Sequence, residues 1–312
     1  MKSPLLTIVI VNYNSFNLLY KCLLTLSEKS HNLDFDVLVV DNNSTEGDVF
    51  DIIKKFKFVQ LIRNNKNIGF AAANNMAVKQ VSSEYLLLLN NDTALIENSL
   101  KIVIEFARKL KGNYIIGCKL LNIDRSHQNS AIKFPGLFRQ FAATFYLDKI
   151  FFKSKPFNKK YLHLEKEKNP QEIDSVFGAF MFMPRETYNR LNGFDERFFF
   201  YYEDIDLCFR LNKLGGKVYY FPGTSVIHFG GGSTNKNLKF EVKNKMISRI
   251  QYAQKHFKGI YKFLFVLIEY FGLLFRIPSF FILGIITMDK RFINKSVYML
   301  RLLFFYPRNL FK

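Results

Sequence analysis

The sequence predicts an α/β domain on a mainly parallel sheet, followed by a basic, apolar helical segment. Two observations carry the first part. Short apolar, β-branched runs alternate with helix-compatible stretches, and polar residues stand at the carboxyl ends of the strands. In such sheets ligands bind beyond the carboxyl ends of the strands. A third observation carries the second part: after about Asn235 the pattern gives way to long apolar stretches flanked by Lys and Arg.

Leu5 to Val11 reads as a buried parallel strand, broken by Asn12-Tyr13-Asn14-Ser15. A helix over about Phe16 to Leu26 follows. Phe35 to Val40 is a second strand, ending at Asp41-Asn42-Asn43-Ser44. Asp48 to Phe56 reads as helix and Val59 to Ile62 as a third strand. After a polar loop at Asn64 to Gly69, the Ala-rich stretch Phe70 to Val81 is a helix. Tyr85 to Leu89 is a fourth strand, stopping at Asn90-Asn91-Asp92. A helix over Glu97 to Leu110 and a strand over Tyr114 to Leu121 complete this half.

From Asp124 to Asn169 the period weakens, and Lys153 to Lys168 is strongly charged, as in a variable loop region. Ile173 to Pro184 reads as strand, Gly turn, strand, and Arg185 to Leu191 as a short helix. A further helix begins near Glu203 and ends around Gly215-Gly216. Lys217 to Phe221 and Ser225 to Phe229 read as two more strands, the second leading into Gly230-Gly231-Gly232-Ser233. Leu238 to Phe257 is helix-compatible. The predicted division is a domain over 1–235, with halves of about 1–121 and 122–235, and a segment over 236–312.

The chain has 312 residues, a formal net charge of +19 and 49% hydrophobic residues, enough for a sizeable core. So basic a chain suits an anionic partner: a membrane surface, a nucleic acid or a phosphorylated ligand. No recognition-helix or RNP-type motif is present, which argues against nucleic acid. Cys22, Cys118 and Cys208 have neither metal spacing nor the even count of a disulfide framework, and imply a reducing compartment. Met1 to Pro4 leads directly into the first strand and reads as lacking a secretory signal.

Four groups of residues are candidates for chemistry. Asp41, at a strand end, can accept hydrogen bonds from a base or ribose, or can cap a helix. Asn67 and Gly69 precede a helix carrying Asn74 and Asn75; Gly69 either allows a close approach or makes a turn. Asp92 can ligate a divalent cation that bridges two phosphates, or cap a helix over Thr93 to Leu100. His228 can complete such a site, or be structural. Beside these stands FFFYYEDIDLCFR, Phe198 to Arg210. Carboxylates in so apolar a run are either at a helix start or are a catalytic acid or base. Asp206 and Arg210 have the i,i+4 spacing of a helical ion pair.

The order of these blocks resembles the family 2 inverting nucleotide-sugar glycosyltransferases, especially the rhamnosyltransferase-like branch. The matching stretches are VIVNYNS at Val9 to Ser15, VVDNNSTEGD at Val39 to Asp48, NIGFAAANN at Asn67 to Asn75, LLLLNND at Leu86 to Asp92, and Gly178 to Gly216, with His228 after them. The resemblance implies a GT-A fold, Rossmann-like, over most of the chain. It implies transfer of a sugar with inversion from a UDP- or dTDP-sugar, dTDP-rhamnose among them, to a glycan or lipid-linked acceptor. It places Asp41 on the base with Asn12, Asn67, Gly69, Asn74 and Asn91 on the nucleotide-sugar side. Asp92 and His228 then hold Mg²⁺ or Mn²⁺, with Asn90 standing where the family's DxD motif has its first Asp. Asp204 is the general base and Glu203 its neighbour on the acceptor side. A catalytically inactive nucleotide-sugar-binding relative is the alternative that Asn90 keeps open.

Phe263 to Phe275 and Ile277 to Met288 are each too short to span a bilayer, which needs about 20 apolar residues. Joined, they contain Glu269, Arg276 and Pro278. With their basic flanks they read as a monotopic anchor on the inner face of the cell membrane, or as core helices. Oligomeric state is not legible.

Overall fold

A computed structural model of the chain describes residues 3–151, 164–230 and 238–305. Most of the charged run Lys153 to Lys168, together with Gly231, Gly232 and Ser233, lies outside the described residues. Contacts divide the chain into two compact units, 1–134 with 162–233, and 135–161 with 234–312. The described residues 135–151 therefore group with the C-terminal helices, although the sequence assigns them to the acceptor half.

In the first unit the elements run β1 (Leu6–Asn12), α1 (Phe16–Lys29), β2 (Phe35–Asp41), α2 (Val49–Ile53), β3 (Val59–Arg63), α3 (Phe70–Val78) and β4 (Tyr85–Leu89). Then come β5 (Thr93–Leu95), α4 (Ser99–Ala107), β6 (Tyr114–Leu121), β7 (His127–Gln128) and β8 (Ala131–Ile132). The second unit contributes α5 (Leu137–Thr144) and α6 (Leu147–Ile150). The first unit resumes with β9 (Gln171–Glu172), β10 (Ser175–Val176), β11 (Phe180–Pro184), α7 (Arg185–Arg190), α8 (Glu203–Lys213) and β12 (Lys217–His228). Helices α9 (Leu238–His256), α10 (Gly259–Thr287) and α11 (Lys290–Phe305) close the chain in the second unit.

The central sheet has the order β3-β2-β1-β4-β11-β6-β12-β5. Strands β1 to β4 are mutually parallel, and β6 and β12 are parallel to each other, while β11 and β5 run antiparallel to their neighbours. The period of two in each strand separates two cores. Ile8, Ile10, Val37, Val39 and Leu87 face one side with α1, α2 and α4; Val9, Leu38, Val40, Leu86 and Leu88 face the other with α3 and α8. Both faces are covered, which explains why these strands read as unbroken apolar runs.

Two sequence readings are corrected. Thr93 to Leu95 is strand β5, not the start of a helix, and α4 begins only at Ser99. The two strands expected at Lys217 to Phe221 and Ser225 to Phe229 are one strand, β12, with its register shifted across Pro222-Gly223-Thr224. Proline has no N–H for the ladder, so the irregularity falls there.

In the second unit Val242, Met246, Ile250, Leu273, Met299 and Leu302 form a core. Helix α10 runs without a break through Pro278. The polar residues that interrupt its apolar run face inward. Glu269 is buried, with Arg249 at 3.4 Å and an amide hydrogen bond from Gln140. Arg276 donates to the carbonyls of Thr144 at 3.2 Å and Ala143 at 3.3 Å.

Candidate active site

The parallel register builds one side of the site. Asn12 and Asp41 end adjacent strands and are register partners. Asn12 donates to Asp41 Oδ1 at 3.3 Å and to Ser44 Oγ at 3.1 Å, and Ser44 Oγ donates to Asp41 Oδ1 at 2.5 Å. On the other side Asn12 Oδ1 accepts from Asn91 Nδ2 at 2.7 Å. Strand ends β2, β1 and β4 are thus joined side chain to side chain.

Asn42, which follows Asp41, donates to the Gly69 carbonyl at 3.1 Å and accepts from Asn64 at 2.8 Å. Asn67 Oδ1 accepts from the Gly69 N–H at 2.9 Å. Gly69 has φ +89°, and a Cβ there would lie 2.7 Å from the Phe199 carbonyl oxygen. Its neighbour Phe70 donates its N–H to that same oxygen at 2.8 Å. The close approach that Gly69 permits is therefore to the aromatic stretch before the acids. Gly69→Ala is expected to cost about 1–3 kcal/mol from the positive φ, with more for the displaced Phe199. Chemical denaturation alongside turnover would show both losses; an unchanged midpoint would contradict this packing. Asn74 is buried and donates to Phe70 O at 2.9 Å, a bond within its own helix. Asn75 is taken up by Tyr188, Phe194 and Glu196.

The acids sit at the start of α8. Tyr201 and Tyr202 precede it with φ of 72° and 73°, two consecutive left-handed residues that are not glycine. Such conformations are sparse and cost of order 1–3 kcal/mol each, so the surrounding packing must impose them. Phe198 is fully buried, whereas Phe199 is 36% exposed, so the aromatics divide between core and surface. Asp204 accepts from the N–H groups of Gly178 at 2.9 Å and Ile205 at 2.8 Å. Glu203 is buried, and its Oε2 has no hydrogen-bond partner among the described residues. Burial pushes the Glu203 carboxyl well above its usual range, and the charge of Asp204 pushes it further. Burial also raises Asp204, opposed by the two N–H donors that favour its ionised form. Of the two, Asp204 is better held as a carboxylate and Glu203 as a neutral acid. The ion pair that spacing predicts is formed: Arg210 Nε lies 2.8 Å from Asp206 Oδ2.

The other side is built by β12. His228 is the register partner of Thr93, and the Phe229 N–H donates to Asp92 O at 2.9 Å. This sets His228 Nε2 3.2 Å from Asp92 Oδ1 and 3.5 Å from Asn90 Nδ2. Gln128, in the weak-period region, carries no sequence signal of a role. Its Nε2 donates to Asn122 Oδ1 at 2.9 Å and to the His228 carbonyl at 3.3 Å. Its Oε1 is then the atom 2.6 Å from His228 Nδ1, which must donate to it. In the neutral imidazole the Nε2 lone pair then faces a carboxylate oxygen, and a cation between two such groups would satisfy both. Among the described residues no three His, Cys, Asp or Glu side chains are placed to hold a metal. Two protein donors nevertheless fit Mg²⁺ or Mn²⁺, which commonly take one or two carboxylates and complete their shell with phosphate oxygens and water.

The two sides meet. The Asn90 N–H donates to Ala179 O at 3.1 Å, and Ala179 follows the Gly178 that binds Asp204. A continuous circuit therefore runs Asp41, Asn12, Asn91, through Asn90 to Ala179, Gly178 and Asp204, and back through the residues that precede α8 to Phe199, Gly69 and Asn42. Asp92 and His228 branch from it at Asn91.

The mainly parallel sheet with its polar strand ends fits a GT-A fold, and comparison with known proteins gives the family. The model described as "Glycosyl transferase family 2" matches residues 7–186, more than half the chain, and the chain belongs to that family. A second model, described as the N-terminal domain of galactosyltransferase, matches residues 159–230, which include the acid pair and His228. The chain is similar to an N-acetylglucosaminyl-diphospho-decaprenol L-rhamnosyltransferase of Mycobacterium tuberculosis, 25% identical over 75% of this chain and 79% of that one. It is also similar to the rhamnosyltransferase WbbL of Escherichia coli, 31% identical over 52% of this chain and 61% of that one. Among solved structures, GalNAc-T7 with UDP, GalNAc and Mn²⁺ shares the fold at TM-score 0.54 and 14% identity, covering 82% of this chain and 52% of that one.

Proposed function

We propose that this glycosyltransferase moves a sugar from a UDP- or dTDP-sugar to a hydroxyl of a lipid-linked glycan, with inversion, in the synthesis of a cell-surface polysaccharide. The observation that carries the reading is the circuit joining Asp41, Asp92, His228 and Asp204 within one unit. The two rhamnosyltransferase relatives favour dTDP-rhamnose as donor, and the diphospho-decaprenol in the name of one favours a lipid-linked acceptor.

The roles follow from position. Asp41 and Asn12 take the base and ribose. Asn67, Asn91 and Asp92 lie toward the sugar and phosphates, and Gly69 sets the loop beside them. The acceptor oxygen forms its bond to the anomeric carbon as the bond to the nucleoside diphosphate breaks on the opposite face. Asp204 takes the acceptor proton, and Glu203, neutral in its buried place, orients the acceptor side. Asp92 and His228 would hold the divalent cation, which when bound offsets the charge gathering on the diphosphate. EDTA is expected to abolish transfer, and Mn²⁺ or Mg²⁺ to restore it and to tighten UDP binding. Activity and UDP affinity that ignore EDTA would overturn the metal role. Asn90, an amide where the family motif has an acid, favours a second reading: a nucleotide-sugar binder without transfer.

The membrane belongs to the same reading. Helix α10 has 29 residues and is long and apolar enough to cross a bilayer by length and composition. Its buried Glu269 and half-buried Arg276 favour a monotopic placement on the inner face, with the exposed Ile260, Phe263, Phe271, Ile282 and Ile286 entering the lipid. Replacing Ile282 and Ile286 by Glu is expected to weaken binding to anionic vesicles at least about tenfold, since each buried side chain contributes about 1.5–3 kcal/mol. Equal partitioning would place the anchor elsewhere.

A further inference from the structure

A cavity of about 630 Å³ lies within the helical unit, between α9, α10 and α11 and beside Tyr146. It is chemically two-sided. Lys245, Arg249, Arg276 and Lys295 bring four cations to it, against the two carboxylates Glu241 and Glu269, an excess of two positive charges. Leu273, Phe280, Leu283 and Phe292 line the rest.

The cations are held by their neighbours. The Arg276 guanidinium is fixed by the carbonyls of Ala143 and Thr144 and lies 5.9 Å from the centre of the Tyr146 ring. The charge of Glu269 is engaged by Arg249 and Gln140. Arg249 and Arg276 are close enough to repel. Burial first, and Arg249 second, hold Arg276 below its usual range. Glu269 already offsets part of that repulsion, and a further anion beside the two guanidinium groups would offset more. Lys295 lies 4.9 Å from the centre of the Phe280 ring, at the boundary between the basic and apolar walls. Leu283 both lines the cavity and is 38% exposed, and it sits between Ile282 and Gly284 on the helix whose apolar face is open. A free anion has no use for the apolar wall, and a neutral lipid none for the cations.

We propose that this cavity binds a lipid diphosphate, its head at Arg249, Arg276, Lys245 and Lys295 and its hydrocarbon chain leaving past Leu283 along α10. The excess of two positive charges matches a diphosphate better than the single charge of a phosphodiester lipid. The inference rests on the membrane-side reading of α10, and its test is binding without turnover, so its failure leaves the transfer reaction untouched.

The probe is farnesyl diphosphate, titrated into the full-length protein in detergent with saturating UDP and Mn²⁺ present, so that the donor site is filled. Binding is expected to persist, and farnesol and inorganic diphosphate each to bind at least tenfold more weakly. The double variant Lys245→Gln, Lys295→Gln is expected to lose at least tenfold in affinity while keeping its UDP affinity. Because that variant alters pairing on α9, Leu283→Trp gives a second test. The chain has no other Trp, so its emission reports folding, and the larger side chain should fill the exit and weaken the probe. Displacement by UDP, or unchanged affinity in both variants, would overturn the site. Inorganic diphosphate binding as tightly as the probe would make it a plain anion site. Equal competition by phosphatidylglycerol would overturn the two-charge assignment.

Discussion

Asp204→Asn is expected to lower transfer by roughly 10²–10⁴-fold, the usual contribution of a positioned general base. Nucleotide binding should be unchanged, because Asp41, Asn12 and Asn91 are joined without Asp204. The variant should also fold. An amide group would face one of the two N–H donors, costing about 1 kcal/mol, while a carboxylate raised by burial is removed. The pH profile sharpens the test. A base must be ionised, and Asp204 has its carboxyl raised. Wild-type activity should therefore fall, as pH drops, through a value above the ordinary carboxylate range. In the variant that limb should vanish. Glu203 gives the complementary sign for stability. Its folded value is raised, so its contribution is full below the unfolded value of about 4.3 and is lost as pH rises through the folded one. Unchanged turnover in Asp204→Asn would remove Asp204 from the role of base and move attention to Glu203.

The second large effect is on stability. Arg210→Met is expected to destabilise the first unit by about 3–5 kcal/mol, since it removes the cation that compensates a buried carboxylate. Asp206 is fully buried and Arg210 lies 2.8 Å from it. The same guanidinium donates to Gly193 O at 2.7 Å and to Leu191 O, so it also fastens the turn that leads into the aromatic stretch. A shift in the denaturation midpoint with a matching loss of activity would be seen. The double variant Arg210→Met, Asp206→Leu should recover much of the stability, because replacing both charges by apolar groups removes the desolvation cost. If the single variant is as stable as wild type, the pair is not holding α8.

Much of the fold was legible because its strands are short, fully buried runs that stop at polar clusters. Strands β1, β2, β4 and β6 fall where the runs fall. What was not legible has physical causes. β5 has three residues and takes its place from pairing with β12, a contact across more than 130 positions that local pattern does not carry. The pairs β7 with β6 and β10 with β8 are two residues long, too short for any period. Residues 135–151 looked like loop because their apolar face is covered by helices far along the chain, as the contacts of Arg276 and Tyr261 with α5 and its flanks show.

The candidate site divides in the same way. Asp41 and Asp92 stood out because acids at the ends of buried strands need a reason. Asp204 and Glu203 stood out because acids among aromatics need one. Gln128 did not, since an amide in a polar loop is unremarkable until His228 is placed against it. Asn74, an amide in an Ala-rich helix, could be read as facing a nucleotide or as merely exposed; it is buried and bonds to its own helix. Gly69 could be read as a close approach to a ligand or as a turn, and the backbone it admits is that of Phe199.

Transfer of a sugar from a pyrimidine nucleotide donor with inversion is the proposed reaction. A donor screen tests it most directly: UDP-, dTDP- and GDP-sugars offered with a lipid-linked acceptor, nucleoside diphosphate release as the readout, and the product anomer assigned by NMR. The expected result is release from a UDP- or dTDP-sugar, little from any GDP-sugar, and a product of opposite anomeric configuration to the donor. Release from none of them, or a product that retains the donor's configuration, would contradict it.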